Sequence, residues 1–473
     1  MSSPDRKDLL RQLPSVDRLL AAAAARELMG EFPRARVKEA LQAALAAART
    51  AILNGAPPPA EDALIAESAG ALREADRPRL VRAINATGII LHTGLGRAVL
   101  PEAAIEAISQ RMRGYCVLAA DRETGERFER DRHVAAQLCA LTGAEAATVA
   151  NNNAGATMLV LAALARGREA IVSRGQLVEI GGSFRLPDIM AEAGVRMVEV
   201  GTTNRTHLAD YQKALTPQTA MLLRVHPANY RQIGFTAEVG TREMADLAHS
   251  HGCLMADDIG SGALFDTARW GLEHERTAAE SIRDGADVAL FSGDKLLGGP
   301  QCGIIIGRKP LIQAIRKHPL ARALRVDKLC VCALEETLRL LADDERFEQT
   351  IPTYRMLARP IGELRAQAEA LAAAIRAAQP ALTVSARQDV TYVGSGSLPG
   401  IPFPSWVVVL TSSHVPASRL ARLLRQSDPP SYARIEREEV ILDVRTLQPG
   451  EDAEIAAALG RVVVGGSSGG DKH

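Results

Sequence analysis

Aromatic residues are scarce in this chain: eight Phe, six Tyr and two Trp among 473 residues, or 3%. Alanine is abundant instead, so the core must be largely aliphatic and, by alanine's backbone preference, helical. Cysteine is thin as well. The six thiols, Cys116, Cys139, Cys253, Cys302, Cys330 and Cys332, form no CxxC pair, and the single C-x-C falls on a predicted helix. That spacing indicates neither a zinc site nor a disulfide framework. Net charge is absent, with 56 basic residues against 56 acidic ones. The totals therefore announce no polyanionic partner such as DNA, and any basic surface has to be local. No signal peptide and no long apolar run is present, which argues against a membrane span and predicts a cytoplasmic protein.

What remains is ordinary globular material, 47% hydrophobic and 24% charged, too long for a single core. The first part reads as all-helical. Ser15 is a candidate cap for a helix running through "SVDRLLAAAAARELMG" to a stop at Gly30. A second helix places Val37, Ala40, Leu41, Ala44, Leu45, Ala48 and Ile52 on one face and ends at Gly55, before the stiff "APPPAED". From about Arg82 short apolar runs alternate with helical patterns: "AATVA", "EAIVS", "RMVEVG", "AMLLRVH", "CLMAD", "VALFS" and "CGIIIG". Strands spaced by helices predict an α/β fold with a mainly parallel sheet covered on both faces. A long helix is predicted from about Pro319 to Asp343, followed by a small α+β region holding "ALTVSA", "SWVVVL" and "EVILDV". The resulting division is a helical module at 1–75, a large domain at 76–345, a small α+β domain at 346–463 and a flexible tail at 464–473.

In parallel sheets ligands bind where strands end, which directs attention to three turns. After "AATVA" comes "NNNAGAT", Asn151 to Thr157, opening into a helix. Its exposed N–H groups favour a phosphate, although one capped helix start would also account for it. After "CLMAD" comes "DIGSGAL", where Asp258 can face a protonated ring nitrogen; Asp257 is an adjacent competitor that spacing does not exclude. After "VALF" comes "SGDK", where Ser292 can reach a phosphate oxygen and Lys295 can attack an aldehyde, in place of an ordinary surface lysine. Each turn alone has a bland explanation. Phosphate cup, pyridinium aspartate and Schiff-base lysine in this chain order are the parts of a pyridoxal-phosphate enzyme. No Walker-type loop competes, and "GLGRAV" lacks the third glycine of a dinucleotide fingerprint.

The motifs "INATGIILHTGLGRA", "NNNAGA", "SRGQLVEIGGSFRLPD", "VGTTNRTH", "DIGSGAL", "FSGDKLLGGPQCGIIIG" and "HPLARALRVDK" go further. Through them nearly the whole chain resembles the bacterial selenocysteine synthase (L-seryl-tRNA(Sec) selenium transferase) family of fold-type-I pyridoxal-phosphate enzymes. The resemblance implies that Lys295 carries pyridoxal 5'-phosphate as a Schiff base and that Asp258, not Asp257, faces the pyridine nitrogen. It implies a phosphate site at Asn151, Asn152, Asn153 and Ser292. It also implies an anion pocket for selenophosphate with Arg97, Arg322 and Arg325, and further active-site positions at Asp294 and Asn229. Guanidinium forks suit such a multiply charged donor. The N-terminal module is implied to bind tRNA(Sec) charged with serine, and the subunits to form a homo-oligomer, a decameric ring. The chain departs from the family at Gly94 and Ala228, where side chains with donors are common, and throughout the 115–133 loop.

The implied reaction is β-replacement. The seryl amine displaces Lys295, the freed lysine takes the Cα proton, water leaves Cβ, and selenium from selenophosphate adds. One rival is a related lyase, aldolase or eliminase acting on a small amino acid or amino sugar, which would have no use for the N-terminal arm. A second is a tRNA-binding protein with a dead cofactor site, against which the intact Lys295, Asp258 and Asn-rich turn stand.

Overall fold

The computed structural model describes residues 6–181, 184–227, 229–394 and 396–461. The expectations for Ala228 and for the tail at 464–473 lie outside them. The chain divides into two compact units, Met1–Arg82 and Ala83–His473.

The first unit is five helices: Arg6–Arg11, Val16–Ala21, Ala23–Glu31, Arg34–Leu53 and Glu61–Asp76. Ser15 caps the second, its hydroxyl accepting from the Arg18 amide at 3.2 Å. The single helix expected from Ser15 to Gly30 is in fact two. Ala22 is extended at ψ 148°, and Gly30 lies inside the later helix, which Phe32 closes. An alanine run has no reason of its own to bend. The bend lets both halves reach one core, where Leu19, Leu20, Ala25 and Leu28 meet Val37, Leu41, Leu45 and Leu64. The half-exposed ion pairs Arg36–Asp76 and Arg73–Glu31 tie helices across this unit, and pairs of this kind add little.

The second unit holds two large sheets. In chain order the strands are β1 (Ile84–Ala86), β2 (Ala146–Ala150), β3 (Glu169–Ser173), β4 (Glu179–Ile180), β5 (Phe184–Arg185), β6 (Arg196–Val200), β7 (Thr219–Val225), β8 (Leu254–Gly260), β9 (Val288–Ser292), β10 (Gly303–Gly307), β11 (Thr383–Thr391), β12 (Phe403–Thr411), β13 (Ser431–Glu436) and β14 (Glu439–Asp443). Seven of them form one sheet in the order β2-β10-β9-β8-β7-β3-β6, with only β10 antiparallel. β3, β7, β9 and β10 are buried at every residue, which is why they read as unbroken apolar runs. The second sheet runs β1-β13-β14-β12-β11. Helices Ile361–Ala378, Ala417–Arg425 and Glu451–Gly460 bury Leu364, Leu371, Leu420 and Ile455 against it. Its edge strand β1 comes from residues just after the first unit, pairing parallel with β13.

The helix expected from Pro319 to Asp343 is broken. Pro319–Ala323 stops, and Lys328–Leu341 starts anew with Asp327 accepting from the amides of Leu329 (2.6 Å) and Cys330 (2.9 Å). The Leu324 carbonyl turns aside to accept from the Asn151 amide at 2.8 Å. The break therefore ties this segment to the turn after β2. Among the described residues no helix is long and apolar enough to cross a membrane, and no cluster of His, Cys, Asp or Glu is placed to hold a metal.

Candidate active site

Adjacent residues on a strand face opposite sides of a sheet, and this separates the two aspartates of β8. Asp257 is fully buried on one face, taking Arg224 at 3.2 Å, Arg276 at 3.1 Å, Thr241 at 3.0 Å and Ser281 at 2.8 Å. Burial opposes its charge, but the two guanidiniums and the Ser281 and Thr241 hydroxyls together outweigh burial and hold the carboxyl below the usual carboxylate range. Asp257 is an internal counter-ion. Asp258 faces a cavity of about 300 Å³ on the other side. It accepts from Asn153 Nδ2 and Thr157 Oγ1, each at 2.9 Å. Burial pushes this carboxyl up, and those two bonds and the charge of Lys295 only partly offset the push.

Lys295 lies on the same cavity, in the hairpin between β9 and β10. Its carbonyl accepts from Gly298, which sits at φ 78°, while Gly293 donates to Cys302 at 2.9 Å. Burial lowers the ammonium below the ordinary lysine value, Asp258 opposes this, and Arg97 lowers it further. Gly396, at φ 75°, backs the amine so closely that a Cβ there would collide with Nζ. Arg97 has the rare left-handed φ of 63°, following Gly96 at 92°. A non-glycine residue is strained there by about 1–2 kcal/mol. The conformation is held by its guanidinium on Asp294 at 2.7 Å and by Ala98 donating to the Asp294 carbonyl at 3.2 Å.

The fold thus brings Arg97, Asn152, Asn153, Asp258, Ser292, Asp294 and Lys295 to one cavity. An adjoining cavity of about 310 Å³ adds Asn229, beside Arg97, Lys295 and Tyr392. The three asparagines have separate tasks. Asn152 caps the helix Asn153–Leu164 by accepting from Gly155 at 2.8 Å, and Asn153 holds Asp258. Asn151 departs from the phosphate expectation: its amide is committed to Leu324, and its side chain is exposed. Arg322 and Arg325 also stand apart. They line a different cavity, about 550 Å³, with Arg127, Arg130 and Arg316. The 127–131 part of the unusual 115–133 loop lines that second place, where Arg130 donates to the Val326 carbonyl at 2.7 Å. Gly94 lies in an exposed turn, Thr93–Leu95.

Thr157 and Gly396 escaped the sequence reading. Thr157 was within reach, since it follows Asn153 by one helical turn and so shares its face. Gly396 gave no signal, because only the folding of a distant loop onto Lys295 makes its missing side chain matter.

The chain matches the family model described as L-seryl-tRNA selenium transferase over residues 83–448, and the selenocysteine synthase N-terminal model over residues 10–49. It is 51% identical over 442 residues to an L-seryl-tRNA(Sec) selenium transferase of Methylocella silvestris, covering 93% of this chain and 94% of that one. It is 45% identical over 469 residues to the enzyme of the same description from Moorella thermoacetica, covering 98% and 99%. Among solved structures, D-glucosaminate-6-phosphate ammonia-lyase superposes with a TM-score of 0.56 at 22% identity, over 80% of this chain and 95% of that one. The shared architecture is the fold-type-I arrangement.

Proposed function

The chain belongs to the L-seryl-tRNA selenium transferase family, and we propose that the Lys295 cavity is where it exchanges the hydroxyl of a tRNA-borne serine for selenium. It is a pyridoxal-phosphate-dependent transferase that converts seryl-tRNA(Sec) to selenocysteinyl-tRNA(Sec). The residues present fit that cofactor. A buried amine of lowered basicity faces the same cavity as a buried carboxylate, and Asn153 Oδ1 is buried there without a partner. When bound, pyridoxal phosphate supplies an aldehyde for amines and a cationic ring that draws electron density from the substrate's Cα.

The chain's own residues supply the rest. Lys295 would hold the cofactor through its amine and, once freed by the seryl amine, would serve as the base for the Cα proton. Asp258 would hold the ring nitrogen and favour its protonated form, since that positive charge would offset the cost of burying a carboxylate. Asn153 and Thr157 fix the direction of Asp258. Ser292 and the first amides of the helix Asn153–Leu164, which have no partner within it, receive the phosphate. Arg97, braced by Asp294, and Asn229 bind the selenium donor, selenophosphate. Arg322 and Arg325 line another cavity of the same chain, and a second subunit that turned that cavity towards Arg97 would bring them to the same donor. That supports a homo-oligomer, for which the family resemblance suggests a decameric ring. The helical unit of residues 1–82 is assigned to holding the tRNA, a reading supported by the family match within it.

The observation that carries this reading is the placement of Lys295 and Asp258 on one buried cavity at successive strand ends. Purified protein given seryl-tRNA(Sec) and selenophosphate should form selenocysteinyl-tRNA, and Lys295→Ala should form none. Turnover of free serine at a similar rate, or borohydride labelling of a side chain other than Lys295, would overturn it.

A further inference from the structure

The chemistry above uses the two cavities that Lys295 lines, and a third adjoins both without touching Lys295. The third, about 330 Å³, shares His226 with the cofactor cavity and Leu398 and Pro399 with the Arg97–Asn229 cavity. Its size falls within the range of small-ligand sites, about 300–1,000 Å³.

The wall states what kind of ligand it suits. Gln176, Thr203, Asn204, Thr206 and Gln232 line it with uncharged polar groups, some already bonded to the protein, beside only two arginines, Arg205 and Arg231. Its acidic side chains each face a basic side chain: buried Glu275 lies 3.1 Å from His226, while exposed Glu273 pairs with Arg231 at 3.0 Å and exposed Glu238 lies 3.9 Å from Arg224. This contrasts with the arginine-rich cavity around Arg322, which suits phosphates. Tyr230 lies on the wall with its hydroxyl donating to the Gly175 carbonyl, so the ring is anchored at its far end. A rigid aromatic ring beside neutral donors and acceptors is the equipment for a nucleobase.

Reach supplies the second argument, and it rests on the proposed function. The seryl group is esterified to the ribose of the adenosine that ends every tRNA. One extended residue spans only about 3.5 Å. When the seryl amine is at the Lys295 position, the terminal nucleoside must therefore occupy a space next to it. We propose that the third cavity receives the terminal adenosine of seryl-tRNA, with Tyr230 as the platform on which the purine stacks.

Equilibrium binding of the holoenzyme to tRNA(Sec), with and without its terminal adenosine, tests this. Base–aromatic stacking is worth about tenfold in affinity. Removing the adenosine should weaken binding to the unaltered protein by about that factor. Tyr230→Leu should bind the complete tRNA as weakly as the truncated one, with no further loss on truncation, and Tyr230→Phe should keep the difference. If Tyr230→Leu loses the cofactor absorbance, the unaltered protein decides the matter. A tRNA ending in 8-azidoadenosine should then photo-crosslink to the peptides holding residues 203–206 or 229–238. A full truncation penalty in Tyr230→Leu, no penalty in the unaltered protein, or crosslinks confined elsewhere would overturn the proposal. These readouts are of binding, so they are separate from the formation of selenocysteinyl-tRNA, which tests the proposed function itself.

Discussion

Asp257 and Asp258 are neighbours with identical side chains, yet a half-turn of the strand gives them opposite duties. Asp257 is ionised and enclosed by Arg224 and Arg276, so Asp257→Asn leaves buried guanidiniums short of a partner. Breaking such a pair costs about 3–5 kcal/mol. Asp258→Asn removes a carboxyl whose charge burial already disfavours, so stability should hold while turnover falls by orders of magnitude. Thermal unfolding and selenocysteinyl-tRNA formation, measured on both variants, separate the roles; an equal loss of stability in both would refute the division. The pH sign follows from the same environments. Asp257 is held below its ordinary 3.8, so its contribution to stability is present above that value and is lost as acid protonates it. Lys295 is lowered from 10.5, so its free amine forms at lower pH than an ordinary lysine's. Capture of pyridoxal phosphate by the apo-protein should titrate with a midpoint below 10.5. Arg97→Ala, removing a neighbouring positive charge, should move that midpoint upward. A midpoint unmoved by Arg97→Ala would deny the two groups electrical contact.

Elements position these residues through their ends. β8 and β9 deliver Asp258 and Lys295 side by side, and the helix Asn153–Leu164 turns Asn153 and Thr157 toward Asp258. Strands β3, β7, β9 and β10 were legible because both their faces are buried and their sequences are mainly apolar. The helix breaks at Ala22 and between Leu324 and Asp327 were not, because local preference there favours continuing the helix. Asp327 is the exception that pattern reading could have found, an N-cap residue followed by a helical run. Asp327→Ala should cost about 1 kcal/mol of local stability. Amide exchange at Leu329 and Cys330 should quicken by about fivefold, while exchange in β8 and β9 stays unchanged. Unchanged exchange at both amides would mean that the cap contributes nothing.

At the scale of the whole molecule, the two sets of residues proposed to bind the anionic donor lie on different cavities of one chain. If one active site draws Lys295 from one subunit and Arg322 and Arg325 from another, two inactive variants should rescue each other. Mixing Lys295→Ala with Arg322→Ala/Arg325→Ala, after dissociation and reassembly, should restore about a quarter of the activity by random pairing. No recovery from well-assembled mixtures would place both sets in the service of one subunit's own site.

The sequence by itself determined the parallel sheet, the strand-end turns that carry Lys295, Asp258 and Asn153, and the chemistry those residue types allow. All of these follow from short-range patterns: apolar runs, glycine turns and helix starts. Tertiary structure alone decided that the Asn151 amide is spent on Leu324, that Gly396 packs against the Lys295 amine, and that Arg322 and Arg325 line a different cavity from Arg97. Those facts depend on which distant backbones come within contact distance. Contacts between segments hundreds of residues apart leave no periodicity in either segment.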